Sequence, residues 1–322
     1  MMKFKTIYIT VIFVYFFAIS ACNYTQEKDN AKSASTEIPE NNLSFKQVNG
    51  IRFYEVKRRF KNGLSFNNIG FQQVPTWVIE FKEPDTMLAY SPEKKGMEAF
   101  FLQLDHGKVY NFAREYFRAL VINRDSLILQ RLQVDGKVIA GDDDERSNVF
   151  CTYYSKNFIA NKLKTTVGEL QKPTPADTVF IKNLSQQTYR DPGNPSIAFA
   201  ATQPVIFTPK SNFITVEKQS TQDYTTHRTA AYDYLYPEYK IVILRSYKAF
   251  AYRLHMVVDA NGKMYVNSVD GVMPEFAESR KKMLQGITDV YLKNLLKITP
   301  GTTLTIPHSS QVTVNIVGKL LK

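Results

Sequence analysis

Cysteine is nearly missing: the 322-residue chain carries two, Cys22 and Cys151. They can form one disulfide at most, so this is not a small disulfide-stapled scaffold, and apolar burial must hold it together. Histidine is scarce as well. His106, His227, His255 and His308 stand far apart, and none keeps a metal-ligand spacing with another histidine, a cysteine or a carboxylate. No metal or cofactor is therefore expected. Also missing are a Gly-x-Ser-x-Gly elbow, a phosphate-cradling glycine loop and a paired-carboxylate pattern, which points to a non-catalytic protein, although triads can assemble from distant positions. Gly141-Asp142-Asp143-Asp144-Glu145 is the densest carboxylate cluster. It lacks the alternating spacing and internal glycine of a calcium loop and reads as a solvated hairpin tip.

The most informative stretch that is present lies at the start. Lys3 and Lys5 precede an apolar run from Ile7 to Ile19, which ends in Ile19-Ser20-Ala21-Cys22. A positive start, a short apolar stretch and small residues before a cut make residues 1–21 a signal peptide. The ending resembles the lipobox of bacterial lipoproteins, and the resemblance implies that Cys22 is lipidated, carries palmitate-type chains and becomes the first residue. An uncleaved anchor is the alternative, but Asn23, Thr25 and Gln26 would be costly in hydrocarbon. A free Cys22 thiol would be exposed and reactive in an oxidising compartment. Each buried methylene contributes ~0.8 kcal/mol, so two or three acyl chains hold a protein on a membrane where one does not.

Residues 22–43 are polar and read as a flexible tether. Gln26-Glu27-Lys28-Asp29 is similar to the acidic surface-export signals of Bacteroidetes lipoproteins. Asp85-Thr86-Met87, Asp125-Ser126-Leu127 and Asp177-Thr178-Val179 resemble the O-glycosylation sequon of the same group, which would place them in surface loops. The expected location is the cell envelope, on the outer membrane, because Asn23 is not the aspartate that retains enterobacterial lipoproteins at the inner membrane.

The net charge is +11, and loss of Lys3 and Lys5 with the signal lowers it by two. A basic surface suits phospholipid head groups, lipopolysaccharide or acidic glycans, and export argues against nucleic acid as a partner. Lys57-Arg58-Arg59 with Lys61 is a candidate lipid contact. Cys151, inside an aromatic run, reads as a buried inert thiol.

An α+β fold in two domains is expected. Residues 44–185 alternate short aromatic and β-branched runs with turn signals, the texture of antiparallel strands closed as a sandwich or a curved sheet. Residues 113–121 are open to a short helix, and Asp177 to Leu184 to one further strand. Residues 186–209 collect prolines and read as a linker. In residues 210–322, strand candidates run over 239–244, 251–258 and 264–269, the last two joined by an Asp259-Ala260-Asn261-Gly262-Lys263 turn. A helix follows from about Phe276 to Leu296, with Thr299-Pro300-Gly301 as its stop, and then a strand from Gln311 to Val317.

That order, with Thr299-Pro300-Gly301 and Val312-Thr313-Val314-Asn315-Ile316, resembles the C-terminal domain of TonB-type proteins. The resemblance implies a ββαβ module that binds an envelope protein through a sheet edge, with Val312, Val314 and Ile316 of the last strand as candidate contacts. A second reading comes from Tyr232-Asp233-Tyr234-Leu235-Tyr236. In a strand, Tyr232, Tyr234 and Tyr236 would share one face and stack on sugar rings or line an interface, which makes a glycan the alternative partner. A hydrolase would require a cleft gathering carboxylates or a histidine constellation.

Overall fold

The computed structural model describes residues 44–135, 138–139, 147–226 and 228–320. The signal peptide, the tether, Cys22, the acidic cluster at 141–145 and His227 lie outside the described residues.

The first half builds one antiparallel sheet. Its strands are β1 (Arg52–Phe60), β2 (Val78–Lys82), β3 (Thr86–Ser91), β4 (Gly96–Phe101), β5 (Gln103–His106), β6 (Val109–Phe112), β7 (Glu115–Ile122) and β8 (Ser126–Leu132). A two-residue pair follows, β9 (Val134–Asp135) and β10 (Val138–Ile139), and then β11 (Val149–Ser155). Nine of these strands run in the order β4-β3-β2-β1-β11-β8-β7-β6-β5. The sheet is rolled rather than flat. Phe81 of β2 and Phe112 of β6 belong to strands five places apart, yet their rings meet edge to face at 6.1 Å. Phe45 stacks on Phe81 at 3.9 Å and touches Tyr110 at 4.8 Å. Alternating side chains line the inside, as in β11, where Val149, Cys151 and Tyr153 are buried and Phe150, Thr152 and Tyr154 are less so. The outcome is a strongly curved, nearly closed sheet, not a sandwich, and residues 115–122 are strand rather than helix.

The second sheet holds β13 (Ile214–Gln219), β14 (Glu238–Ser246), β15 (Phe250–Val258), β16 (Met264–Val269) and β20 (Ser310–Leu320) in the order β13-β14-β20-β15-β16. β14 and β20 run parallel, and the other pairs are antiparallel. The β15–β16 turn forms as its sequence suggests: Asp259 Oδ1 accepts from the Asn261 and Lys263 amides, and Gly262 takes φ +80°. Helix α4 (Pro274–Ile287) covers one face of this sheet, burying Leu284. It continues through a π turn (Thr288–Leu292) and α5 (Lys293–Leu295), so the helical run ends before Leu296. The chain then enters β17 (Leu296–Thr299), which pairs with β12 (Ile206–Pro209). Thr299-Pro300-Gly301 therefore ends a strand, not the helix. A short hairpin, β18 (Thr302–Thr303) with β19 (Ile306–Pro307), leads into β20.

The stretch between the sheets differs most from expectation. Helices α1 (Val167–Gln171) and α2 (Pro175–Arg190) precede it, and α2 takes in both Asp177 to Leu184 and the start of the expected linker. Thr174 caps α2 through a capping box with Asp177, and Pro175 sits at its first turn, where a proline costs no hydrogen bond. Residues 199–207 are packed rather than free: Phe199, Ala201, Val205 and Phe207 are buried. Ala200 donates to Ile69 O at 2.9 Å, and a Cβ on Gly70 would lie 2.3 Å from Ala200 O, a contact only glycine permits. On the other side, a Cβ on Gly301 would come within 2.6 Å of Ala201 Cβ. Phe66, Ile181 and Phe199 form a third core between the two larger ones, and residues 43–322 make one compact unit.

Candidate functional site

The second sheet has one face under α4 and one face open. Along β20, Val312, Val314 and Ile316 point into the core, and Gln311, Thr313 and Asn315 point the other way. The same alternation puts Glu238 of β14 and Arg253 and His255 of β15 on the open face. Register aligns them in rows: Glu238 and His255 flank Thr313, and Arg253 lies beside Asn315.

Above this face lies a cavity of about 830 Å³, walled by Pro195 and Phe199 on one side and by Thr221, Arg228, Tyr232 and Tyr236 on the other. Its volume falls within the ~300–1,000 Å³ typical of small-ligand sites. The second wall carries the tyrosines. Residues 232–236 form a turn of helix, α3 (Tyr232–Leu235), not the expected strand. Helical spacing splits the trio: Tyr232 and Tyr236, four apart, pair at 5.3 Å and line the cavity. Tyr234 points elsewhere and accepts a 3.0 Å hydrogen bond from the Gln72 amide, which ties this wall to the loop after β1. Asp233 fixes the wall from within, its Oδ1 accepting from the Thr221 amide at 2.7 Å and the Ser220 hydroxyl at 2.9 Å. The Arg228 guanidinium stands 5.9 Å from the Tyr232 ring centroid.

The floor is a balanced polar network. Arg253 donates to both oxygens of Glu238, at 2.6 and 3.0 Å, and lies 3.3 Å from Asp270. Asp270 in turn meets His255 Nε2 at 2.9 Å, and Asn315 donates to Glu238 at 2.6 Å. Burial raises the Glu238 carboxyl, but hydrogen bonds from Arg253 and Asn315 outweigh it and hold the group below its ordinary range. In the wall, Asn267 donates to Gly193 O, and its buried Oδ1 has no partner among the described residues.

Asp270, His255 and Thr313 line up as carboxylate, imidazole and hydroxyl, the order of a nucleophilic triad. Two features argue against acyl transfer. His255 Nδ1 and Thr313 Oγ1 are 3.4 Å apart, beyond ordinary hydrogen-bond range. Thr313 also sits mid-strand in β20, and its own N–H is spent on Pro237 O at 3.0 Å, so it is not available as an oxyanion donor.

The candidate edge contacts are not at an edge. β20 is the central strand, and Val312, Val314 and Ile316 are 3%, 0% and 0% exposed, so strand addition at these residues is closed. Two of the four basic residues in the candidate lipid contact are already committed to carboxylates. Arg58 is held by Glu55 at 2.7 Å and Arg59 by Asp177 at 3.0 Å. The three sequon-like triplets mark the starts of regular elements rather than loops: Thr86 and Ser126 open β3 and β8, Asp177-Thr178-Val179 lies in the first turns of α2, and Met87, Leu127 and Asp177 are buried. Cys151 is buried, and burial together with the nearby Glu55 pushes its thiol up to about 12, an inert state at neutral pH.

The sequence singled out Tyr232 and Tyr236 but passed over Glu238, Arg253 and Asp270. His255 stood out only as one of four scattered histidines. An alternating pattern in β15 would have placed Arg253 and His255 on one face, but the parallel β14–β20 pairing that brings Glu238 to them leaves no local signal. Among the described residues no helix is long and apolar enough to cross a membrane, and no three His, Cys, Asp or Glu side chains converge as a metal site requires. Compared with family models and with characterised proteins, the chain matches none.

Proposed function

We propose that this chain is a non-catalytic, lipid-anchored envelope protein that binds a neutral saccharide in the cleft above its second sheet. The observation that carries this reading is the composition of the cleft, with an aromatic pair on one wall over a floor of opposed hydrogen-bond donors and acceptors. A sugar ring has an apolar C–H face, which suits Tyr232 and Tyr236, and a dense set of hydroxyls, which suits Arg253, Glu238, Thr313 and Asn267, all of which line the cleft. Charges in the network offset one another, Arg228 and Arg253 against Glu238 and Asp270, which favours an uncharged ligand over a polyanion. The anchoring half of the proposal rests on the lipobox-like Ile19-Ser20-Ala21-Cys22. The succession of β15, β16, α4 and β20 supports a TonB-like module in the C-terminal part, extended by β13 and β14.

The test uses the Cys22→Ser protein on a glycan array. By mass spectrometry it should lack the acyl chains that the native protein carries on Cys22, and it should bind at least one saccharide class. Tyr236→Ala, at a residue 56% exposed and so harmless to folding, should weaken that binding about ten-fold, the equivalent of ~1.4 kcal/mol. A native protein whose N-terminal peptide carries no acyl mass, or an acyl mass that survives in the Ser variant, would overturn the anchor. An empty array, or binding that Tyr236→Ala leaves intact, would overturn the saccharide site.

A further inference from the structure

On the side of the second sheet that α4 covers, an apolar surface is left open at one corner. The loop between β14 and β15 lifts Tyr247 almost wholly into solvent, at 85% exposure. Beside it a groove of about 240 Å³ runs between that loop and the C-terminal part of α4. Met283, Val290 and Tyr291 line it, yet are 43%, 58% and 41% exposed. Phe276, two helical turns before Met283, extends the stripe at 54% exposure. Register also brings Leu320, 56% exposed, opposite Ser246 at the base of the same loop. Large apolar side chains gathered this way on a solvent face mark an interaction surface.

The charges around the patch indicate what covers it. Arg245 and Lys248 flank Ser246 and Tyr247 in the chain, Arg280 lies one helical turn before Met283, and no ion pair joins any of the three to a carboxylate among the described residues. Arg280 is braced, donating to Tyr252 Oη at 2.9 Å, and Arg245 lies 4.8 Å from the Phe213 ring centroid. No carboxylate lines the groove itself. A second copy docked on this face would set like charges against each other. A bilayer with anionic head groups offers both complements at once, with hydrocarbon for Tyr247, Met283 and Val290 and phosphates for the three cations. Tyrosine suits that boundary because its ring is apolar and its hydroxyl stays wet.

We propose that this corner is a membrane-docking surface that seats the folded unit on an anionic bilayer independently of any lipid anchor. It does not depend on the saccharide reading, since the cleft lies on the opposite face of the sheet. Docked this way, the unit would present its open face, with the cleft, away from the bilayer.

The experiment is vesicle co-sedimentation with residues 43–322, the compact unit free of Cys22 and of the apolar N-terminal run. Phosphatidylcholine vesicles with phosphatidylglycerol should bind it, and phosphatidylcholine alone should bind it much less. Lys248→Gln should lower partition about five-fold, as expected for one cation removed from an anionic surface. Tyr247→Ser combined with Val290→Gln should abolish it, with the thermal midpoint unchanged because both side chains are exposed. Tyr236→Ala in the cleft should leave partition as it was, which separates this site from the saccharide site. No binding to anionic vesicles, or binding that the Tyr247 and Val290 substitutions leave intact, would overturn the proposal. So would a stable dimer in sedimentation that those substitutions dissociate, because the patch would then be covered by a second copy.

Discussion

His308 is buried at the junction of the two sheets, stacked on Phe199 with ring centroids 3.6 Å apart. Its Nδ1 lies 3.1 Å from the Ser309 carbonyl, which can only accept, so Nδ1 carries the proton. Nε2 then accepts from the Thr303 hydroxyl at 3.0 Å. Every partner suits a neutral ring, and burial lowers its pKa to about 4 from an ordinary 6.5, against a smaller upward pull from the Ser309 carbonyl. Between those values the unfolded chain takes up a proton that the folded one refuses, so stability is whole above pH 6.5 and falls as the pH drops toward 4. The full loss is about 3 kcal/mol. Urea unfolding followed across that window should show the decline in the native protein and a flat response in His308→Gln. Buried carboxylates such as Asp177 lose their contribution only at lower pH, because hydrogen bonds from the Ser65 and Thr174 amides, the Thr174 hydroxyl and Arg59 outweigh burial and hold its pKa down. A native curve that is level from pH 6.5 to 4 would contradict the assignment. No local pattern marks this role, since Pro307-His308 follows no recognised spacing, and its meaning comes wholly from Phe199 and Thr303. Glu55 was hidden for a related reason. A bulge between Glu55 and Lys57 inserts one residue into β1, so Glu55 and Arg58 meet on one face where strict alternation would part them.

At the level of elements, what could be read from the sequence divides by range of interaction. The β15–β16 hairpin, α4 and β20 announce themselves through a turn signal, a three-to-four-residue stripe and two-residue alternation, all local properties. The tyrosine segment misled because alternation of period two over five residues also satisfies one turn of helix, in which the first and last tyrosines pair. Helix α2 was missed although its start is spelled by Thr174-Pro175-Ala176-Asp177, a capping signal that the surrounding prolines disguised as a linker. That helix is held to the first sheet by its own cap. Besides capping, buried Asp177 accepts from the Ser65 amide at 2.7 Å and from Arg59 of β1 at 3.0 Å. Asp177→Ala should therefore cost more than an ordinary cap, about 3 kcal/mol, because the part-buried Arg59 loses its carboxylate and the buried Ser65 amide loses its acceptor. Chemical denaturation would measure it. Arg59→Leu made in the same chain should recover part of the loss, since the stranded charge is then gone. Strict additivity of the two substitutions would show that the pair does not act as a unit.

For the whole molecule, the division into two domains with a proline linker predicts two unfolding transitions, and the packing predicts one. Residues 199–207 are shared property: Phe199 completes a core with Phe66 and Ile181 from the first half, and Val205 and Phe207 belong to the core of the second sheet. Ser185 and Tyr189 of α2 both donate to Pro307 O at 2.9 Å, and Asn267 of β16 reaches Gly193. Proline counts could not reveal this, because Pro204 and Pro209 break regular structure equally well in a loose linker and in a packed strap. If either half unfolded alone it would expose Phe199 and Val205 and strand these hydrogen bonds, each costing ~1–3 kcal/mol when left buried and unmade. Calorimetry of residues 43–322 should therefore give a single transition whose van't Hoff and calorimetric enthalpies agree. Gly70→Ala, whose Cβ would lie 2.3 Å from Ala200 O at a φ of +84°, should lower that one midpoint and keep it single. Two resolved transitions, with only one of them moved by the substitution, would restore the two-domain view.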